Sequence, residues 1–373
     1  MRIAQIASIA ERVPPKKYGG TERVIYALTE ELVHRGHQVT LFASGDSLTS
    51  AELSSSVQIP LSDSKIIDPY GLNPLALQNI GEAYMRQNEF DIIHDHNWLI
   101  SLPTANLSQT PVVMTIHGSF DLYNRKLFES MDKIHYVSIS KSQKIPLPNL
   151  PYAGTVYHGL NMETYPFSEE HDGYLLFVGR ISMEKGVHFA IDVAQYLNKP
   201  LIIAAKLDPQ DVAYYKQYIE PRLSEQIRWI GEVEEEERNR LMSKALCFLH
   251  PVTWREPFGV TLIEAMACGC PVVAFNRGAI PEIVKDGKTG FVVEDVNEMI
   301  IGVENIGKIK RETCHSYALK YFNAKRMTDA YETIYTNILK QKLTKEGNHQ
   351  IKELPKTKEN NTSEKLSATA SLE

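Results

Sequence analysis

The sequence predicts an α/β fold with two parallel sheets in series, each covered by helices. Three observations carry the prediction. The chain has 373 residues, above the roughly 250 to 300 at which one hydrophobic core stops growing. Apolar runs of strand length alternate with amphipathic segments of helical length, the pattern of parallel sheets covered on both faces. The alternation starts again after residues 161–172, a polar stretch containing Pro166, and two similar sheets in series imply a cleft between them.

In the first half, Ile3–Ser8, Gln38–Ala43, Ile92–His94, Val112–Ile116 and Tyr136–Ile139 read as strands. The run from Met1 to Ile9 is apolar but short, with Arg2 as its one basic flank, and reads as a buried first strand. A helix over Thr21–Arg35 places Val24, Leu28 and Leu32 on one face, and Gly36 stops it. Gly154–Gly159 begins with a short apolar strand, and the domain boundary falls after it. The second half repeats the pattern with Tyr174–Val178, Leu201–Ala205, Ile227–Ile230, Cys247–His250, Val272–Ala274 and Phe291–Val293. The expected domains are 1–160 and 161–317, followed by a helix over 318–340. Residues 341–373, rich in Lys, Glu, Asn, Ser and Thr, read as a disordered tail whose burial cannot offset its ordering entropy.

Composition narrows the function. A net charge of −6 gives no global basic field for nucleic acid. No apolar run reaches the roughly 18 to 20 residues that span a bilayer, so a cytoplasmic location is expected with any membrane contact peripheral. Cys247, Cys268, Cys270 and Cys314 lack the paired spacing of a zinc site or a disulfide framework.

The most informative stretch is Trp254–Ala267. Pro257 and Gly259 mark a turn, and Val260, Ile263 and Ala267 recur at helical spacing, so a helix begins near Gly259. Glu256 then precedes the helix and Glu264 lies inside it, with the free amides of the first turn between them, a natural anion site. Such an arrangement suits a nucleotide sugar: amides for the diphosphate, one carboxylate for sugar hydroxyls, the other for ribose. Taken alone, the pair reads as a turn residue and a solvated helix face. The loop Gly179–Gly186 follows directly on a buried strand, at the strand end where parallel sheets bind ligands. Arg180 and Lys185 would converge there on a leaving diphosphate; in isolation they are two surface cations.

Together these motifs resemble those of a retaining family 4 glycosyltransferase of the two-Rossmann, or GT-B, architecture. The family carries Glu, seven residues, Glu, matched by Glu256 and Glu264, and a Gly-Arg loop ending in Lys-Gly, matched by Arg180 and Lys185. The resemblance covers roughly residues 1 to 340. Gly19 and Gly20 stand where the family has its glycine loop, and their spacing is not the dinucleotide fingerprint, so a nicotinamide cofactor gains no support. His117 ends a strand where the family places a histidine facing the reacting sugar. His94, His96 and Asn97 resemble a segment at the cleft rim on the acceptor side, while His94, at an alternate strand position, reads equally as a hydrogen-bonded core residue. Lys206 stands where many relatives have glycine and is either an extra phosphate cation or a rim lysine.

The resemblance implies donor-binding residues Gly19, Gly20, Arg180, Lys185, Lys206, Glu256, Pro257, Phe258, Gly259, Val260 and Glu264, with His117, Arg180, Lys185 and Glu256 catalytic. It implies a hexose-type sugar moved with retention from a UDP- or GDP-sugar, without metal or other cofactor, to a glycan, lipid-linked or small-molecule acceptor docked on loops of the first domain including 45–77. A helix returning to the first domain completes the implied fold. The competing readings are an epimerase or phosphorylase on the same architecture, and a silent sugar-nucleotide-binding protein.

Overall fold

The computed structural model describes residues 1–63 and 73–352, except the side chains of 73 and 345–352. The first sheet comprises β1 (Arg2–Ile6), β2 (Gln38–Phe42), β3 (Glu52–Ser54), β4 (Ile92–Asp95), β5 (Val112–Ile116), β6 (Ile134–Ser138) and β7 (Tyr152–Thr155), in the order β3-β2-β1-β4-β5-β6-β7. The second comprises β8 (Leu175–Arg180), β9 (Leu201–Lys206), β10 (Ile227–Gly231), β11 (Cys247–His250), β12 (Val272–Phe275) and β13 (Gly290–Val293), in the order β10-β9-β8-β11-β12-β13. All pairings are parallel. These are two Rossmann-like α/β sheets, the predicted fold class. In each sheet the strand order reverses once, between β1 and β4 and between β8 and β11, and the loops at the carboxyl ends of those strands form the crevice typical of open α/β sheets.

The central strands are mostly apolar because both faces are covered, and β5, β11 and β12 are buried at every position. The first helix runs Gly20–His34 with Val24, Leu28 and Leu32 buried, and Gly36 follows in the left-handed conformation.

The helix expected over 318–340 is two helices, Arg311–Tyr321 and Ala324–Lys352. At the break the backbone leaves its helical partners to pair with another segment. The Leu160 amide donates to the Phe322 carbonyl at 2.9 Å, and the Ala324 amide donates to the Leu160 carbonyl at 2.8 Å. The Asn323 side chain accepts from the Arg326 amide at 2.8 Å and so caps the second helix. That helix continues past residue 340 to Lys352, and the remainder of the expected tail, 353–373, lies outside the described residues.

The long helix crosses to the first sheet. Tyr331 and Tyr335 are fully buried, their hydroxyls on Thr115 at 2.8 Å and on His94 at 2.6 Å. Arg35 joins Asp329 and Glu332 at 2.6 Å each. This docking ties the end of the described chain to strands that carry cleft residues. We expect Tyr331→Ala to cost about 3–5 kcal/mol by leaving a large cavity, whereas Tyr331→Phe costs about 1 kcal/mol for the lost hydroxyl bond; urea unfolding of both variants checks the ratio.

Candidate active site

Between the sheets lies a cavity of about 510 Å³ lined by both domains. From the first come the Lys17–Arg23 segment, His117 and His158; from the second come Arg180, Lys185, Lys206, Glu256 and Glu264. Pro257, Phe258, Gly259 and Val260 complete the residues that the sequence motifs brought forward for the donor.

Two helix N-termini meet at this cavity. The helix Gly20–His34 starts after Gly19 and the helix Val260–Ala267 after Gly259, and neither has a side-chain cap. Both glycines have positive φ, 143° and 91°, which a side chain resists. The termini approach so closely that a Cβ on Gly20 would stand 3.5 Å from Val260. First-turn amides without a capping side chain, at the positive ends of two helix dipoles, favour an anion beside them.

Cations stand beside those amides. Lys185 Nζ lies 2.9 Å from Glu256 Oε2 and 4.9 Å from the Trp254 ring centre. The Trp254 indole donates to the same oxygen at 2.9 Å, and His250 Nε2 is 3.7 Å away. Burial pushes the Glu256 carboxyl up, but the Lys185 ammonium and His250 more than offset it and hold the group well below the usual carboxylate range. Glu256 is therefore ionised and serves as an acceptor. Arg180 bonds Glu184 at 3.1 Å and faces Asp208 at 3.6 Å. Lys206 pairs with Arg180 in strand register and reaches Asp208 at 3.2 Å. Burial works against the Lys206 charge, but Asp208, Glu11 and Glu232 prevail and raise its pKa.

Glu264 lies deeper, with no exposed surface. Its Oε1 accepts from Arg238 at 3.1 Å and Tyr165 at 3.2 Å, and Arg23 Nε lies 3.7 Å away. Its Oε2 has no partner within the protein. Arg23 sits on the first domain's helix and also bonds the carbonyls of Lys17 and Gly19, so one guanidinium ties the glycine loop to Glu264 across the cleft.

His117 borders the cavity, but His94, His96 and Asn97 do not. The rim position expected for these three is not where they lie: all are buried. Asn97 donates to the Ile6 and Ala7 carbonyls, and the tilted rings of His94 and His96 lie in series with His117. The acceptor-side loop expected over 45–77 includes 64–72, which lie outside the described residues. Asp95 between the two histidines is bonded by Tyr84 and Asn97, and among the described residues no cluster of three or more His, Cys, Asp or Glu has the geometry to hold a metal ion. No described helix is long and apolar enough to cross a membrane.

Sequence reasoning missed His158, Arg23 and Arg238. His158 follows β7 and its ring stacks on His117 with centres 5.1 Å apart. Arg23 adjoins the apolar stripe of a predicted helix, and a charged residue there was the available signal. Glu22, on the same turn, is buried against the cavity.

The comparisons with known proteins accord with this geometry. Residues 163–312 match the family model described as Glycosyl transferases group 1, and residues 18–144 match Glycosyltransferase Family 4. The glycogen synthase of Mycobacterium tuberculosis is 26% identical over 338 residues, covering 77% of this chain and 81% of that protein. The structure of sucrose-phosphate synthase from Thermosynechococcus elongatus superposes with a TM-score of 0.74 at 18% identity, covering 91% of this chain and 100% of that one. Anabaena HepE in complex with UDP and glucose superposes with a TM-score of 0.68 at 19% identity, covering 90% and 100%.

Glu22 gives a test of the buried electrostatics. Burial, with repulsion from Glu11 adding to it, raises its carboxyl to about 7. Because the folded pKa exceeds the unfolded value, folding binds a proton between them, and stability falls as pH rises from about 4.5 to about 7. Removing this group by Glu22→Gln should flatten the melting temperature profile over that window, with a difference from wild type of about 3 kcal/mol at its upper end.

Proposed function

The chain belongs to the group 1, family 4 glycosyltransferases, and from that premise we propose that it transfers a hexose-type sugar from a nucleotide-sugar donor to a glycan, lipid-linked or small-molecule acceptor, with retention and without metal. The observation that carries this reading is the pair of glycine-started, uncapped helix N-termini facing one cavity, with Arg180 and Lys185 beside them. A diphosphate has the charge and the acceptor oxygens to satisfy both sets of donors.

In this reading Arg180, Lys185 and the amides of Gly20 and Val260 stabilise the negative charge that grows on the diphosphate as the sugar bond breaks. The Glu256 carboxylate, ionised and held by Lys185 and Trp254, accepts from sugar hydroxyls and keeps the ammonium in place. Its low pKa makes it unsuited to protonating a leaving group. It is also occupied by its partners, which argues against its use as the nucleophile of a two-carboxylate scheme. Attack then comes from the face the diphosphate leaves, and a phosphate oxygen takes the acceptor's proton. Glu264 Oε2, free of protein partners, accepts from ribose hydroxyls. The complex of HepE with UDP and glucose makes UDP-glucose the first donor to assay, with GDP-sugars beside it.

We expect UDP or GDP release that depends on an added acceptor, an unchanged anomeric configuration in the product by NMR, and full turnover in EDTA. Arg180→Ala and Lys185→Ala should each lower kcat by about 10²–10³ with little loss of stability in Arg180→Ala. Wild-type turnover in both variants contradicts the assignment. A donor sugar altered without any acceptor, or a requirement for inorganic phosphate, places the chain instead with epimerases or phosphorylases.

A further inference from the structure

Behind the cleft wall a chain of histidines runs from the core to the cavity. The ring centres of His94 and His96 are 4.1 Å apart, those of His96 and His117 5.2 Å, and those of His117 and His158 5.1 Å. Burial lowers the pKa of each ring, His117 to about 3, so all are neutral at physiological pH. A neutral imidazole carries one proton, so each hydrogen bond fixes the next.

The order of donors follows from Gln5, a fully buried residue on β1. Its carbonyl Oε1 lies 2.8 Å from His96 Nε2. A carbonyl only accepts, so the His96 proton is on Nε2 and its Nδ1 is bare. His96 Nδ1 lies 2.9 Å from His117 Nε2, which must then be the donor. The His117 proton is spent on that bond, and Nδ1, the one remaining polar atom of a ring that lines the cavity, is a lone pair without a protein partner. The same side chain fixes the other end of the chain. The Gln5 amide lies 3.4 Å from His94 Nδ1, which also accepts from the Tyr335 hydroxyl at 2.6 Å, and His94 Nε2 donates to Thr115 at 2.7 Å. Turning the Gln5 amide over would reverse the proton positions from His94 to His117, so this one side chain sets the polarity of the chain.

We infer that Gln5, acting through His96, is a positioning residue that holds His117 as a pure hydrogen-bond acceptor for a hydroxyl of the donor sugar, and not as a proton donor to a sugar or phosphate oxygen. The inference rests on the nucleotide-sugar reading above. It gives His117 the task of orienting the sugar while the cations and helix amides take the developing charge.

The test separates the ring chemistry from the donor reading. Nitrogen-15 NMR of the histidine-labelled wild-type chain, without ligand, should find His96 and His117 both protonated at Nε2 and bare at Nδ1; a proton on His117 Nδ1 overturns the inference whatever the enzyme does. Calorimetry with UDP-glucose and with UDP then tests the role. In Gln5→Leu the fixed tautomers should give way to mixtures, and affinity for UDP-glucose should fall about fivefold to tenfold, as for one hydrogen bond, while UDP, which lacks the hexose that His117 would orient, binds as before. An equal loss for both ligands makes Gln5 a general structural residue and overturns the role. Should Gln5→Leu fail to fold, the wild-type spectrum still decides. A wild type that binds neither ligand overturns the nucleotide-sugar reading and the role of His117 within it, and leaves the ring assignment to stand or fall on the spectrum.

Discussion

The meeting of two uncapped helix N-termini is the constraint on which the rest of the cleft depends. First-turn amides left without partners are costly when buried, and helices ordinarily recover that cost with a side-chain cap. Here both Ncap positions are glycines with positive φ, which supply no cap and allow close approach. No Ncap side chain occupies the first-turn donors, and the two termini belong to different domains, so the site forms only where the domains face each other.

Several polar contacts hold that arrangement. Glu282 of the second domain accepts from the Lys141 and Ser142 amides of the first at 2.9 and 2.7 Å, and from the Tyr157 hydroxyl at 2.7 Å. The Arg23–Glu264–Arg238 cluster does the same from within the cleft. Buried ion clusters bring little net stability because desolvation offsets attraction. Their value is positional: Arg23 fixes where the glycine loop stands relative to Glu264, and Lys185 fixes Glu256. The long helix Ala324–Lys352 is a third tie, since it leaves the second domain and buries Tyr331 and Tyr335 against the first sheet.

Much of this was legible in the sequence, for reasons that identify what was not. All six strands of the second sheet were predicted, four of them because a strand buried on both faces is a continuous apolar run, and the edge strands β10 and β13 from shorter apolar stretches. β3, Glu52–Ser54, was missed because a short edge strand carries no such run. The helix break at Phe322 and Asn323 has no glycine or proline to announce it; the backbone turns out to pair with Leu160, a partner distant in sequence. The same holds at the site. Arg180, Lys185, Glu256 and Glu264 lie in short local motifs and could be placed on loops and a helix start. Arg23, His158 and Gln5 take their meaning from partners far away in the chain, and His96 looked like a rim residue until the sheet placed it behind His117.

The central claim is that both helix termini, one from each domain, hold the same diphosphate. A crystal structure of the chain with UDP tests it most directly. The account predicts the diphosphate between the two termini, within hydrogen-bond distance of amides at Gly20 and Val260 and of the Arg180 and Lys185 side chains, with the ribose on Glu264. UDP bound with its phosphates away from either helix terminus would contradict it.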